Sequence, residues 1–294
     1  MIKLFLGDTM EKEEKNYSWL KILLICFFST LFILLYARYI EPNNIVVDEI
    51  NIIDNSIPES FYGYKVAHIS DIHYKTTISK EDLKKSINKI NKSKPNIVII
   101  TGDIFDKDVK YTDKDLNNLI ELLNNLDGKY RYIITGDQDL NNKMYKKLIE
   151  KIDFKLLDNT YDIIYDKDYS PILIGGLSTK SDELEFQGKI SSIEKTITEK
   201  NIKYNILIMH EPCNISKIDY SKFQLILAGH NNNGQVNIPG IKSLFIDSDN
   251  KKYIKTYYKK DNTNIYISKG LGTTGFKARL FNKPTINLYR LLNK

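Results

Sequence analysis

Five apolar runs in this chain each end in a short polar motif, and this pattern limits the possible folds more than any other feature. The runs cover residues 65–70, 96–101, 130–135, 204–209 and 223–228. They lead into Asp71-Ile72-His73, Gly102-Asp103-Ile104-Phe105-Asp106, Gly136-Asp137-Gln138-Asp139, His210 and Gly229-His230-Asn231-Asn232. Short runs rich in Ile and Val, bounded by Gly, Asn and Asp, read as buried strands. Helical patterns fall between them. Ser79 opens one, with Glu81 and Asp82 in its first turn, that stops before Pro95, and residues 112–126 carry a stripe of Leu116, Leu119, Ile120 and Leu123. Residues 141–152 are a third helix candidate. Such alternation predicts an α/β fold with a mostly parallel central sheet. Ligands of these sheets bind beyond the carboxyl ends of the strands. Five strand ends thus deliver Asp and His side chains to one place, as a metal site requires.

Beyond residue 151 the elements shorten, with strands at 154–157, 161–165 and 171–175, a helix at 182–199, and strand-like segments at 264–268 and 285–291. There are no repeats and no long low-complexity linker, so residues 64–294 read as one domain.

The N-terminal part differs in kind. Residues 19–40 read WLKILLICFFSTLFILLYARYI, interrupted only by Lys21 and Arg38 near the ends. About 20 apolar residues span a bilayer, and Trp19, Tyr36 and Tyr39 suit its interfaces. No small-residue cleavage pattern follows Tyr36, and the run is long for a signal peptide. Residues 19–40 are therefore predicted to be a transmembrane anchor. Lys3, Lys12, Lys15 and Lys21 precede or open it, and only Arg38 closes it. The positive-inside rule then puts residues 1–18 in the cytoplasm and the large domain outside it. The prediction is a single-pass protein of the cell membrane with the lipid bilayer as a partner. Residues 41–63 form a linker, turning at Glu41-Pro42-Asn43-Asn44, and a leading strand at 45–53.

The net charge is +6, yet only four residues are Arg: Arg38, Arg131, Arg279 and Arg290. Nucleic-acid sites lean on Arg for bidentate contacts. Without an Arg cluster, no nucleic-acid partner is expected. The two cysteines, Cys26 and Cys213, make no disulfide framework.

The motif order DxH, GDxxD, GDQD, H, GHNN resembles that of the calcineurin-like metallophosphoesterases, which usually run DxH, GDxxD, GNHD/E, H, GHxH. Gly234-Gln235-Val236 and Gly270-Leu271-Gly272-Thr273-Thr274-Gly275 resemble the membrane-associated branch of that superfamily, the YkuE-like and lipid A-pathway pyrophosphohydrolase-like proteins. The likeness spans roughly residues 64–292. It implies a four-layer αββα sandwich behind the N-terminal transmembrane helix. It further implies hydrolysis of a phosphate ester or phosphoanhydride in a phosphorylated small-molecule, lipid-linked or cell-envelope substrate. One or two divalent ions (Mn, Fe or Zn) would assist, since two metals activate water and neutralise charge on phosphate oxygens. By the resemblance, Asp71, His73 and Asp103 hold the first ion, and Asp103, as a bridge, joins Asp137, His210 and His230 around the second. His230 also lies near the phosphate.

Three positions depart from the family pattern. Asn232 replaces the second histidine of GHxH and would be a weak ligand. Asp137 replaces an Asn, which keeps an oxygen ligand and adds negative charge. Gln138 replaces a histidine thought to protonate the leaving group or stabilise the phosphate; Gln donates a hydrogen bond but transfers no proton near neutral pH. A competing expectation follows: a catalytically impaired metallophosphoesterase fold that serves as an envelope binding or interaction module.

Other polar residues have plainer readings. His68, inside a strand, reads as core or as support for the ligands. Asp106 either orients its loop or is an exposed turn carboxylate. Asp139 reads as support for the site or as a helix cap. The stretch from Gly270 to Gly275 lacks the Lys-Ser/Thr of a P-loop. Lys277 and Arg279 after it could meet an anionic substrate, with a solvated edge the favoured reading.

Overall fold

Strands that are apolar on both faces need cover on both faces, and the architecture follows from that need. The computed structural model of this chain describes residues 18–140, 142–167, 169–179, 183–238 and 249–293. It opens with helix α1 (Ser18–Leu35), extended by a π-helical turn at Tyr36–Ile40 and a 3₁₀ turn at Glu41–Asn43. The stretch Trp19–Asn43 is long and apolar enough to cross a membrane. Of the predicted cytoplasmic segment, residues 1–17 lie outside the described residues.

After this helix the chain alternates. Strand β1 (Val46–Ile53) is followed by β2 (Lys65–Ile69), α2 (Lys80–Lys92), β3 (Ile97–Ile100), α3 (Asp113–Asn124), β4 (Tyr130–Ile133), α4 (Lys143–Ile149) and β5 (Lys155–Leu156). The second half runs β6 (Thr160–Ile164), β7 (Ile172–Leu177), α5 (Glu183–Glu199), β8 (Tyr204–Met209), β9 (Leu225–Ala228), β10 (Tyr257–Lys260), β11 (Thr263–Ile267) and β12 (Thr285–Leu292).

Instead of one mostly parallel sheet there are two mixed ones, ordered β1-β12-β2-β3-β4-β5 and β10-β11-β9-β8-β7-β6. Strands β2 to β5 are parallel, as are β7, β8, β9 and β11, whereas β6 and β10 pair antiparallel at the edges. Strand β12 lies parallel to β1 and antiparallel to β2. The pleat explains the stacking. In β3, Ile97 and Ile99 point into a layer shared with Ile206, Ile208 and Leu225 of the other sheet. Val98 and Ile100, on the opposite face, pack beneath helices with Leu83, Ile87, Leu119 and Leu123. On the far side, α5 covers the second sheet through Phe186, Ile190, Ile193 and Ile197. The result is four layers, αββα.

The helix starts agree with the capping signals. Ser79 accepts the Asp82 N–H, and Thr112 with Asp115 forms a reciprocal capping box. Helix α4 is shorter than the predicted 141–152, because residues 136–140 turn around the Asp139 side chain before Asn142 caps it. Strand β10 was not evident in the sequence.

Candidate metal centre

Strands β2, β3, β4, β8 and β9 end at one rim, where backbone bonds join their loops. Asp71 N–H donates to Gly102 O at 3.0 Å, His73 N–H to Asp103 O at 3.1 Å, and Gly229 N–H to His210 O at 3.0 Å. The glycines before the aspartates permit this proximity. A Cβ on Gly102 would lie 2.6 Å from the Gly136 backbone, and one on Gly136 would lie 2.2 Å from Asp103 Oδ1. Asp71, His73, Asp103 and His230 all have left-handed backbones, with φ of 51°, 45°, 55° and 70°. Each such residue costs on the order of 1 kcal/mol or more and persists only where the surroundings enforce it, which is typical of functional sites.

Two ligand sets meet at one carboxylate. The ligand atoms of Asp71, His73 and Asp103 lie within 4.8 Å of one another, as do those of Asp103, Asp137, His210 and His230. His210 Nδ1–H donates to Thr101 O at 2.6 Å, which turns Nε2 toward Asp137 Oδ1 at 3.0 Å and Asp103 Oδ2 at 3.3 Å. A fixed tautomer of this kind is how proteins aim a histidine at a metal. His230 Nδ1 lies 3.1 Å from the same Asp137 oxygen, and its backbone N–H donates to Asp71 Oδ2 at 3.0 Å.

The electrostatics separate His210 from an ordinary core histidine. Burial alone pushes His68 down to about 3, leaving it neutral against Thr101 Oγ1 at 2.8 Å. Burial also opposes charge on His210, but Asp103 and Asp137 outweigh it and raise its pKa well above the usual value. Asp137 is held well below the usual carboxylate range, because hydrogen bonds from His210 and His230 overcome the effect of burial. The cluster therefore supports positive charge at the place where Nε2 and the carboxylates converge.

A divalent cation fits these residues. Asp71 Oδ1 is fully buried and has no hydrogen-bond partner among the described residues. A buried carboxylate oxygen left unpaired is costly, and a cation beside His73 and Asp103 relieves it. Mixed carboxylate and imidazole donors suit Mn, Fe or Zn.

Asn232, expected as a weak ligand, is held by neighbours of this set. Its Oδ1 faces Arg279 Nη2 at 3.4 Å and its Nδ2 donates to Thr274 Oγ1 at 3.2 Å. A buried guanidinium demands acceptors, and it claims the amide oxygen. Thr274 Oγ1 in turn approaches His73 Nε2, at 3.1 Å. Gln138 lies at the site, its N–H on Asp103 Oδ1 at 2.9 Å and its Nε2 donating to Asp137 Oδ2.

Three residues support the site, and for one of them, Arg279, the favoured sequence reading does not hold. Arg279 is no solvated edge: it is completely buried and donates to the carbonyls of Lys269, Gly270, Gly272 and Asn282. Its rarity in a Lys-rich chain was the available signal. Asp106 is buried, accepts the Asp108 N–H at 3.0 Å and lies 3.9 Å from His73 Nδ1, so it orients its loop. Asp139 caps no helix. Its carboxylate accepts the N–H groups of Asp103, Ile104, Phe105 and Gly136 at 2.8–3.1 Å. Asp139→Ala would leave these donors unpaired and is expected to destabilise the fold by about 3 kcal/mol or more. A chemical denaturation midpoint equal to that of the parent would refute this role.

Comparison with known proteins points in one direction. A family model described as calcineurin-like phosphoesterase matches residues 64–257. The uncharacterized metallophosphoesterase YkuE of Bacillus subtilis is 31% identical over 265 residues, covering 87% of this chain and 88% of that protein. The uncharacterized metallophosphoesterase Cj0846 of Campylobacter jejuni is 27% identical over 300 residues, 100% of this chain and 76% of its own. A Danio rerio protein named as a transmembrane protein with metallophosphoesterase domain is 24% identical over 84% of this chain, which spans 56% of its length.

Proposed function

This chain belongs to the calcineurin-like phosphoesterase family of metal-dependent phosphoester hydrolases, and from that premise we propose that it is membrane-anchored and acts on lipid-linked or cell-envelope phosphate esters or phosphoanhydrides. The carrying observation is that two Asp/His ligand sets share Asp103. Asp71, His73 and Asp103 would hold one divalent ion, and Asp103, Asp137, His210 and His230 a second. Such ions activate water toward phosphorus and neutralise charge on the phosphate oxygens.

The chain's own residues set the geometry. Thr101 O and the two aspartates orient His210, while Asp139 fixes the loop that presents Asp103. His230, partly exposed beside Asp137, lies where a phosphate oxygen would approach the ions. The Danio rerio relative's name and the apolar helix α1 favour the membrane reading. So does the tie between the end of that helix and the loop behind the site: Arg279 N–H donates to Ala37 O at 2.9 Å, and Asn282 N–H donates to buried Glu41. An opening near the bilayer favours substrates drawn from it.

The test is Mn²⁺-dependent hydrolysis by the full chain in mixed micelles, comparing a lipid-linked pyrophosphate, followed by its phosphomonoester product, with a water-soluble chromogenic phosphodiester, followed by release of the chromophore. The expected result is a higher kcat/KM for the lipid, abolished by chelator. Equal values would refute the lipid preference, and no turnover of either would refute the hydrolase. Resistance of the protein to alkaline carbonate extraction checks the anchor. A second reading, a binding module with impaired catalysis, draws on the engagement of Gln138 by Asp137 and of Asn232 by Arg279.

A further inference from the structure

A cavity of about 560 Å³ opens where the end of the apolar helix meets the domain, lined by Tyr36, Glu41, Asp48, Lys269, Phe281 and Lys283 among others. At 1.5 Å per residue, the roughly 20 residues before Arg38 match the ~30 Å hydrocarbon thickness of a bilayer. Tyr36 then lies at the level of the headgroups, where aromatic side chains concentrate. The hydrogen bond from Arg279 N–H to Ala37 O holds the following loop at the same depth. This loop carries Phe276 and Phe281, 61% and 70% exposed. Phe281 lines the cavity with Tyr36 and so extends the exposed apolar surface of the helix, which would rest in lipid.

The charges in the cavity indicate what it takes. Neither the Lys269 nor the Lys283 ammonium has an ion-pair or hydrogen-bond partner among the described residues. Two carboxylates share the lining: Glu41, engaged by Asn282 N–H, and Asp48, exposed on β1. Two cations and two anions leave no net charge, which weighs against a bare anion and favours a zwitterion. We propose that this cavity binds the headgroup of an aminophospholipid, its phosphate between Lys269 and Lys283, its ammonium toward Asp48, and its acyl chains beside Phe281 and Tyr36. The site is separate from the metal centre. It uses the membrane placement argued above, but its test does not depend on that placement.

The test is calorimetric titration of the full chain in detergent with dihexanoyl phosphatidylethanolamine, beside dihexanoyl phosphatidylglycerol and inorganic phosphate. Saturable binding of the ethanolamine lipid is expected, with weaker binding of the other two. Lys269→Gln with Lys283→Gln should weaken it by about a hundredfold or more, since contacts to charged groups are each worth about tenfold. Lys269→Arg with Lys283→Arg should retain it, which separates loss of charge from loss of fold. An unchanged Kd in the Gln pair would overturn the site. Equal affinity for inorganic phosphate would make it a free-phosphate site, and equal affinity for phosphatidylglycerol would overturn the ammonium contact. Loss of membrane retention in carbonate would strike only the anchor reading, because the titration is made in detergent.

Discussion

Asp103→Asn is expected to lower Mn²⁺-dependent turnover by at least about 10²–10³-fold, the scale seen when a single charge-stabilising group is removed, and by more if an ion is lost with it. Asp103 is the residue common to both ligand sets. Its Oδ1 accepts the Gln138 N–H, and its Oδ2 lies 3.3 Å from His210 Nε2 and 3.8 Å from His73 Nε2. An amide of the same shape cannot join two cations as a carboxylate does. Metal per chain, read by elemental analysis, should therefore fall together with turnover. Folding should survive, because Asp71 and Asp139 already crowd this carboxylate with like charge, and an uncharged isostere removes that repulsion. Parental turnover by the variant would place the hydrolysis elsewhere.

The candidate ligands were legible because each is local to a strand end. A short Ile- and Val-rich run followed by Gly-Asp or Gly-His encodes both the strand and the close turn after it, and no distant residue is needed to read either. Sheet membership is different. Strand β12 inserts between β1 and β2, and nothing in residues 285–292 announces partners at the opposite end of the domain sequence. Arg279 shows the same limit at the level of a side chain. Between Lys277 and Lys283 it looks like a surface cation, and it is buried only because the carbonyls of residues 269–272 and the Asn232 amide converge on it. Asp139 reads as support for the site or as a cap for the helix that follows it, and the choice rests on donors that come mainly from residues 103–105. Asn232 reads as a weak ligand through its place in the motif, and its contact with Arg279 could not be read from the motif.

Asp137→Asn combined with Gln138→His is expected to raise kcat by about 10²-fold or more on a phosphodiester with an alkyl leaving group, the typical worth of general acid catalysis. A good aryl leaving group needs no proton, so its rate should change little. The two substitutions belong together. In this chain the Gln138 amide is engaged by Asp137, whose other oxygen takes His210 and His230. A histidine introduced alone would meet the same carboxylate, and its proton would be held there rather than offered to a leaving group. Replacing Asp137 by an amide removes that competitor and also some of the negative charge that opposes an approaching phosphate. The comparison of leaving groups thus decides between the two readings of the protein. A gain confined to alkyl esters means that the parent retains working hydrolytic machinery suited to leaving groups that depart unprotonated. No gain on either substrate, with metal fully bound, would mean that restoring an acid cannot revive the chemistry, and would favour the binding module.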